Sequence, residues 1–70
     1  SCCALCSDVA EHNQQSIEYT KAGLLELGAY EYEAAGDAWD EWSFQNCGDE
    51  FECDTTTGKC KRKQLAPETS

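Results

Sequence analysis

The sequence contains no methionine, one proline, one histidine and only five lysine and arginine residues among its 70 positions. It also lacks any apolar run near the ~20 residues that a helix needs to cross a bilayer, so we expect no membrane insertion. A secretory leader, basic at first and then apolar, is missing from the first residues as well. Six cysteines in so short a chain fit a disulfide framework made in an oxidising compartment, so we expect a secreted, extracellular protein from which the leader has been removed.

Positive charge is scarce and is concentrated near the end of the chain. Fourteen Asp and Glu residues against five Lys and Arg residues give a net charge of -9. Because such a surface repels nucleic acid phosphates and anionic lipids, we expect a protein partner rather than nucleic acid or a membrane. The acidic body also predicts association with a basic surface that weakens as salt is added. Most of the positive charge belongs to Lys59, Lys61, Arg62 and Lys63.

The sequence shows no catalytic motif. It has no phosphate-binding loop, no cofactor fingerprint and no nucleophile in a recognisable setting with His12. A chain of this length offers little room for a concave substrate pocket, even though carboxylates such as Asp37 and Asp40 lie close together in sequence. We predict no enzyme activity, no catalytic residue and no cofactor, and we interpret His12 as a surface residue on a polar helix face.

Two patterns raise a metal or redox hypothesis. Cys3 and Cys6 have the spacing of zinc and thiol oxidoreductase sites, but the chain is too short for a thioredoxin-like sheet, and a zinc site would leave an odd set of thiols. Acidic residues also crowd one C-terminal segment, but the spacing of an EF-hand calcium loop is missing. We predict structural disulfides, a solvated acidic face and no metal site. The acidic residues in question are Asp49, Glu50, Glu52 and Asp54.

The cysteines form two clusters of three at opposite ends of the sequence. A single domain of 70 residues buries too little apolar surface to be stable without cross-links, and disulfides form in oxidising compartments. Adjacent cysteines rarely bridge each other, so we predict bonds between the two clusters, each stabilising the fold by about 4 kcal/mol. The pairing within that pattern stays open. The clusters are Cys2, Cys3 and Cys6, and Cys47, Cys53 and Cys60.

Apolar periodicity predicts helices in the cysteine-free middle of the chain. Ser7 or Asp8 can cap a first helix that begins near Val9, with one face formed by residues at steps of three and four. Glycine favours a left-handed helix end, so we predict a break at Gly36–Asp37 and a further helix over residues 38–45. The first face consists of Cys6, Ala10, Asn13, Ile17, Lys21 and Leu24.

A second helical stripe, of large apolar and small residues, is predicted to form the hydrophobic core. Aromatic residues exceed what so small a core can hold, so two that lie off this stripe, Tyr30 and Phe44, are predicted to bind a partner protein. The alternative is that they are exposed without a function. The stripe consists of Leu25, Gly28, Tyr32, Ala35, Trp39 and Trp42.

Turn formers and threonines dominate the C-terminal part of the chain. We predict a hairpin between Cys47 and Cys60, in which Gly58 takes the positive φ that a tight turn requires. The predicted fold class is therefore small, disulfide-rich and mainly α, with two or three packed helices and a short C-terminal β-hairpin. We expect a single disulfide-stapled domain over residues 1–64 and a frayed polar tail over residues 65–70.

Two short segments carry a resemblance to a known family. Residues 2–9 and 36–40 resemble stretches in the secreted mating pheromones of Euplotes ciliates, which are small acidic disulfide-rich helical proteins. The resemblance implies a diffusible signalling protein that binds a cell-surface receptor through helix faces also used for self-association. The segment 53–60 is similar to hairpins of many secreted cysteine-rich proteins, including fungal effectors. That similarity leaves an alternative, an effector or toxin that binds a host protein.

Overall fold

The computed structural model describes residues 1–63, which form two long helices followed by a small hairpin. The predicted fold class is confirmed, with two helices rather than three. The predicted tail, residues 65–70, lies outside the described residues. The elements are α1 (Cys2–Lys21), α2 (Leu25–Phe44), a 3-10 turn (Cys47–Asp49), β1 (Phe51–Cys53) and β2 (Cys60–Arg62).

Helix α1 begins at Cys2, so the predicted start near Val9 is wrong. The Ser1 hydroxyl accepts a hydrogen bond from the Ala4 N–H, at 3.2 Å, and thereby caps the helix about two turns before the predicted caps. Ser7 and Asp8 therefore lie inside the helix. The consequence is that all three N-terminal cysteines project from the first two turns of α1.

Helix α2 runs through Gly36 without interruption, so the predicted break there and the separate helix over residues 38–45 are wrong. The chain reverses at Gly23 instead, which has φ 81°. The N–H groups of Leu24 and Gly23 donate to the carbonyls of Tyr19 and Thr20, at 2.9 and 3.1 Å, which is the Schellman pattern of a helix end. Only glycine takes this φ without strain, so Gly23 sets the position of the helical hairpin.

The two helices approach most closely at Gly28. A Cβ atom at this position would lie 2.5 Å from Thr20 Oγ1 and 3.2 Å from the Ser16 carbonyl oxygen. The Ser16 hydroxyl donates to the Gly28 carbonyl at 2.8 Å. Further along, His12 Nδ1 donates to Glu31 Oε2 at 2.5 Å, so this histidine faces α2 and is not the plain surface residue that was predicted. Polar contacts thus join the helices where apolar packing is thin.

Only half of the predicted core stripe is buried. Gly28, Ala35 and Trp42 face α1, whereas the other three members, which follow the same seven-residue spacing, are exposed. Their assignment to the core is wrong. Within residues 1–63, α1 is the only other α-helix that packs against α2, and it buries one of the two parallel rows of residues that make up the stripe. The exposed members are Leu25 (65%), Tyr32 (70%) and Trp39 (41%).

Three disulfides join the two cysteine clusters, as predicted. The register places Cys53 opposite Cys60 in the hairpin, and their partners lie one helical turn apart on α1. Two disulfides therefore connect one turn of α1 to a single cross-strand residue pair of the hairpin, Cys53 and Cys60. The bonds are Cys2–Cys47, Cys3–Cys60 and Cys6–Cys53.

The core is a small cluster built around these bonds. Cys6, Cys47 and Trp42 are its buried members. Leu5 and Phe51 pack against them from α1 and β1, together with the sulfur atoms of the remaining bonds. Sulfur and one indole ring thus supply most of the apolar interior at the cross-linked end.

Replacing Gly28 and Gly36 separately by alanine tests the close helix contact. Both changes gain helix propensity, by up to about 1 kcal/mol. At Gly28 the added methyl group also meets Thr20 and the Ser16 carbonyl, whereas at Gly36 it meets nothing within 4 Å. We expect Gly28→Ala to be less stable than Gly36→Ala by about 1–3 kcal/mol in guanidinium denaturation of the oxidised protein. Equal stabilisation by both changes would contradict the contact.

Deleting single disulfides tests where the core lies. The Cys3–Cys60 and Cys6–Cys53 bonds close loops of similar length, with separations of 57 and 47 residues, so chain entropy accounts for about 4 kcal/mol in each. Cys6 is fully buried and Cys3 is exposed. We expect the double alanine replacement of Cys6 and Cys53 to cost at least about 1 kcal/mol more than that of Cys3 and Cys60, measured by denaturation. The reverse order would place the core elsewhere.

Candidate interaction surface

An open groove lies between α2 and the loop that joins β1 to β2. The buried Val9 of α1 is at its base, α2 forms one wall, and the loop forms the other. We call it the aromatic groove. It is lined by Val9, Asn13, Tyr32, Ala35, Gly36, Trp39 and Thr55.

The loop wall is held in place by side chains of α1. Asn13 Nδ2 donates to the Thr55 carbonyl at 3.3 Å, and Gln14 Nε2 donates to the Thr56 carbonyl at 3.1 Å. Gly58 has φ 80°, as predicted, and a Cβ atom there would lie 3.2 Å from the Cβ atom of Ala10. The glycine therefore permits both the turn and its contact with α1.

Asp54 organises the loop from within. Its Oδ1 atom accepts hydrogen bonds from the N–H groups of Thr56 and Thr57, at 2.9 and 3.2 Å. These bonds favour the ionised carboxylate and lower the pKa of Asp54 below its usual value. The four acidic residues of this segment were predicted to form a solvated face. No group of three or more His, Cys, Asp or Glu side chains in residues 1–63 is placed to hold a metal ion.

Trp39 is the exposed aromatic residue of the groove that stacks on a buried ring. Its ring stacks on that of Trp42, with centroids 6.0 Å apart and planes inclined by 10°. Because Trp42 is buried among the disulfides, the stack connects the groove directly to the cross-linked core. An exposed aromatic ring that is already ordered loses little entropy on binding, which is typical of interface hot spots.

Gly36 leaves an open space in the α2 wall. No heavy atom lies within 4 Å of a Cβ atom built at this position, and the residue has an ordinary helical conformation. Glycine costs about 1 kcal/mol relative to alanine in a helix interior. Within residues 1–63 no contact depends on the missing side chain, so folding alone does not explain this glycine.

Exposed acidic side chains of α2 lie beside the aromatic groove. Glu33 and Asp40 each follow an exposed aromatic residue of the groove by one position, so they form a parallel row along α2. Four of the five basic residues lie on or directly beside β2, where Lys61 is within 3.8 Å of Glu52 and the Arg62 guanidinium is 5.5 Å from the centre of the Phe51 ring. The groove therefore has a negative border.

The two residues predicted to bind a partner are exposed but lie outside the groove. Tyr30 is 68% exposed and Phe44 82% exposed. They are fourteen positions apart on α2, which is about 21 Å along the helix axis, so they do not form one patch. Their role in binding stays a prediction.

Sequence reasoning missed the groove because its walls come from three separate elements. Thr55 and Asn13 meet only when the hairpin folds back on α1. A signal was present in the predicted core stripe, which consists of two parallel rows of residues on α2. One neighbouring helix buries only one of two such rows, so the other row was available to line a surface groove. Gly36 was a second signal, interpreted wrongly as a helix break.

No family model matches this chain, and neither a curated protein nor a solved structure matches it. The resemblance of residues 2–9 and 36–40 to Euplotes pheromones stays a prediction. In the part of the chain that the structure describes, neither long helix is apolar enough to span a membrane. The function has to be inferred from the geometry of the surface.

Titration of Asp54 tests the loop wall. Its pKa is lowered from 3.8 by the hydrogen bonds that the folded loop makes to the charged form. The contribution of these bonds to stability is therefore present above the unfolded pKa and is lost as the pH falls through the lower folded pKa. We expect the Asp54 carboxyl carbon and the Thr56 and Thr57 amide protons to titrate together below pH 3.8, as measured by NMR.

The matched control is Asp54→Asn, which keeps an acceptor oxygen but removes the charge. In this variant the shared titration of the two threonine amides should disappear. An Asp54 midpoint at or above 3.8 would contradict the hydrogen bonding described above.

Proposed function

We propose that this protein is a secreted, non-enzymatic ligand that binds a protein receptor on a cell surface. The observation that carries the proposal is the aromatic groove, in which Trp39 is exposed yet held in place by a buried neighbour. Rigid aromatic side chains of this kind dominate the energetics of protein interfaces. Together with the resemblance to pheromones, the groove favours signalling by direct contact with a receptor.

The disulfides support the extracellular part of the proposal. All six cysteines are paired, and three disulfides in so small a protein are typical of extracellular proteins. The cross-links also keep the groove in one shape before binding, so less conformational entropy is lost on association. A small fold stabilised by three disulfides suits a diffusible signal that must stay folded outside the cell.

The chemistry of the groove favours binding over catalysis. Within residues 1–63, its lining has no carboxylate, imidazole or ammonium group that would act as a general acid or base. The side chains are aromatic, aliphatic, amide and hydroxyl groups. Such a surface suits contact with another protein.

A cell-binding experiment tests the function. We expect fluorescently labelled protein to bind cells of the producing species in a saturable way. The Trp39→Ala variant should lose about tenfold or more in affinity, because it removes the ordered aromatic anchor. Phe44→Ala is the comparison variant, since it removes an exposed aromatic ring of the same helix outside the groove: binding through the groove predicts that it binds like the parent protein, whereas the sequence-based prediction for Phe44 expects a loss of affinity.

Each outcome has a distinct meaning, provided that NMR spectra show both variants folded. Loss of binding in Phe44→Ala but not in Trp39→Ala would contradict the groove and support the sequence-based candidate. Saturable binding only to foreign cells would support the effector alternative. An absence of saturable binding to any cell would contradict the proposed function.

A further inference from the structure

We propose that the receptor segment that occupies the aromatic groove is a basic amphipathic helix, lying along α2 with its backbone close to Gly36. This inference rests on the proposed function, because it names the chemistry of the partner for the same surface. Three features of α2 support it: an exposed apolar seam, an adjacent row of small residues, and an acidic row beside them.

The apolar seam has the spacing that a helix matches. Leu25, Tyr32 and Trp39 are exposed and recur every seven residues, which is about 10 Å per step along α2. Two helices that pack side by side meet at this interval. The seam covers about 21 Å in total, equal to four turns of a partner helix. A partner with apolar side chains on one face would bury all three residues at once.

The small residues next to this seam permit a close approach. Ala29, Gly36 and Ser43 also recur every seven residues and are exposed. Gly28 shows what such a position does inside the molecule, because there the missing Cβ atom lets α1 come within contact of the α2 backbone. Gly36 lies eight residues further along α2, which turns it by about 80° from Gly28 onto an adjacent face, and nothing is packed against it. A second helix is the natural counterpart.

The acidic row determines the sign of the partner's charge. Glu26, Glu33 and Asp40 are exposed, and each follows a residue of the apolar seam. Lys or Arg residues beside the apolar face of the partner would meet this row, as flanking charges do in coiled coils. The net charge of -9 would add long-range attraction for a basic segment.

A second copy of the chain fits this surface poorly. A symmetric dimer through α2 would bring two acidic rows together, and like charges oppose that arrangement. The basic strand β2 of another copy has the right charge, but Cys60–Arg62 is three residues long and spans about 10 Å, half of the seam. A separate basic helix satisfies both charge and length.

A designed peptide pair tests the proposal directly. The probe is a synthetic helix with leucine on one face and lysine on the others, and its matched control carries glutamate in place of lysine. We expect the lysine peptide to bind with a micromolar Kd at low salt, and the glutamate peptide to bind at least about tenfold more weakly. High salt should weaken the lysine peptide several-fold. NMR shifts should concentrate at Tyr32, Gly36 and Trp39.

The variant Gly36→Leu separates the groove from simple charge attraction. It leaves the net charge unchanged, and its Cβ atom has no neighbour within 4 Å, so we expect it to fold. We expect it to bind the lysine peptide at least about tenfold more weakly, because the leucine occupies the space of the partner backbone. Gly36→Ala should lie between the two. In the double variant Glu33→Gln and Asp40→Asn, the salt dependence should decrease.

Several results would overturn the proposal. These are equal affinity of Gly36→Leu and the parent protein, shifts centred on β2, no shift in the groove at millimolar peptide, or a concentration-dependent dimer that buries α2. The cell assay separates this inference from the proposed function. If cells bind the parent protein and Gly36→Leu equally, the helix proposal fails and the function stands. If the peptide binds as expected but no cell binds the protein, the function fails.

Discussion

The structure depends on the three disulfides that join the first two turns of α1 to the hairpin and to the 3-10 turn that follows α2. They place a dense cluster of sulfur around one buried indole, Trp42. In a chain of this size apolar burial alone offsets conformational entropy poorly, so the cross-links stabilise the fold chiefly by restricting the unfolded state. The rest of the helical hairpin extends away from this end, held by Gly23, Gly28 and a few polar contacts.

The cross-links also explain why a large apolar seam is exposed. A helix held covalently at one end does not need to bury all its large residues to stay in place, so Tyr32 and Leu25 remain in solvent. Trp39 gains order from the core without being buried in it, because it stacks on Trp42. The buried row that stabilises the fold and the exposed row that we propose for binding are thus adjacent on the same helix, and the stacked indole pair connects them.

The predictions from sequence were correct where a sequence pattern is compatible with only one local structure. Bonds between the cysteine clusters follow from the strain of bridging neighbours, and the positive φ of Gly58 follows from the turn. The pairing of individual cysteines depends on which side of α1 each of them faces. That direction is defined only because the cap at Ser1 places all three cysteines inside the helix, so the pairing stayed open. The helix break was assigned to Gly36 rather than Gly23 because a glycine in a sequence shows only that a positive φ is permitted there. It does not show whether the folded chain adopts that φ.

By itself, the sequence determined the class of protein: small, acidic, cross-linked and mainly helical, with one apolar helical stripe and a turn at Gly58. Only the tertiary structure decided which row of that stripe is buried, because burial depends on where the single neighbouring helix packs. It also decided that Asn13, Thr55 and Trp39 border one groove. These residues are distant in sequence, and their proximity arises only when the disulfides fold the hairpin back onto α1.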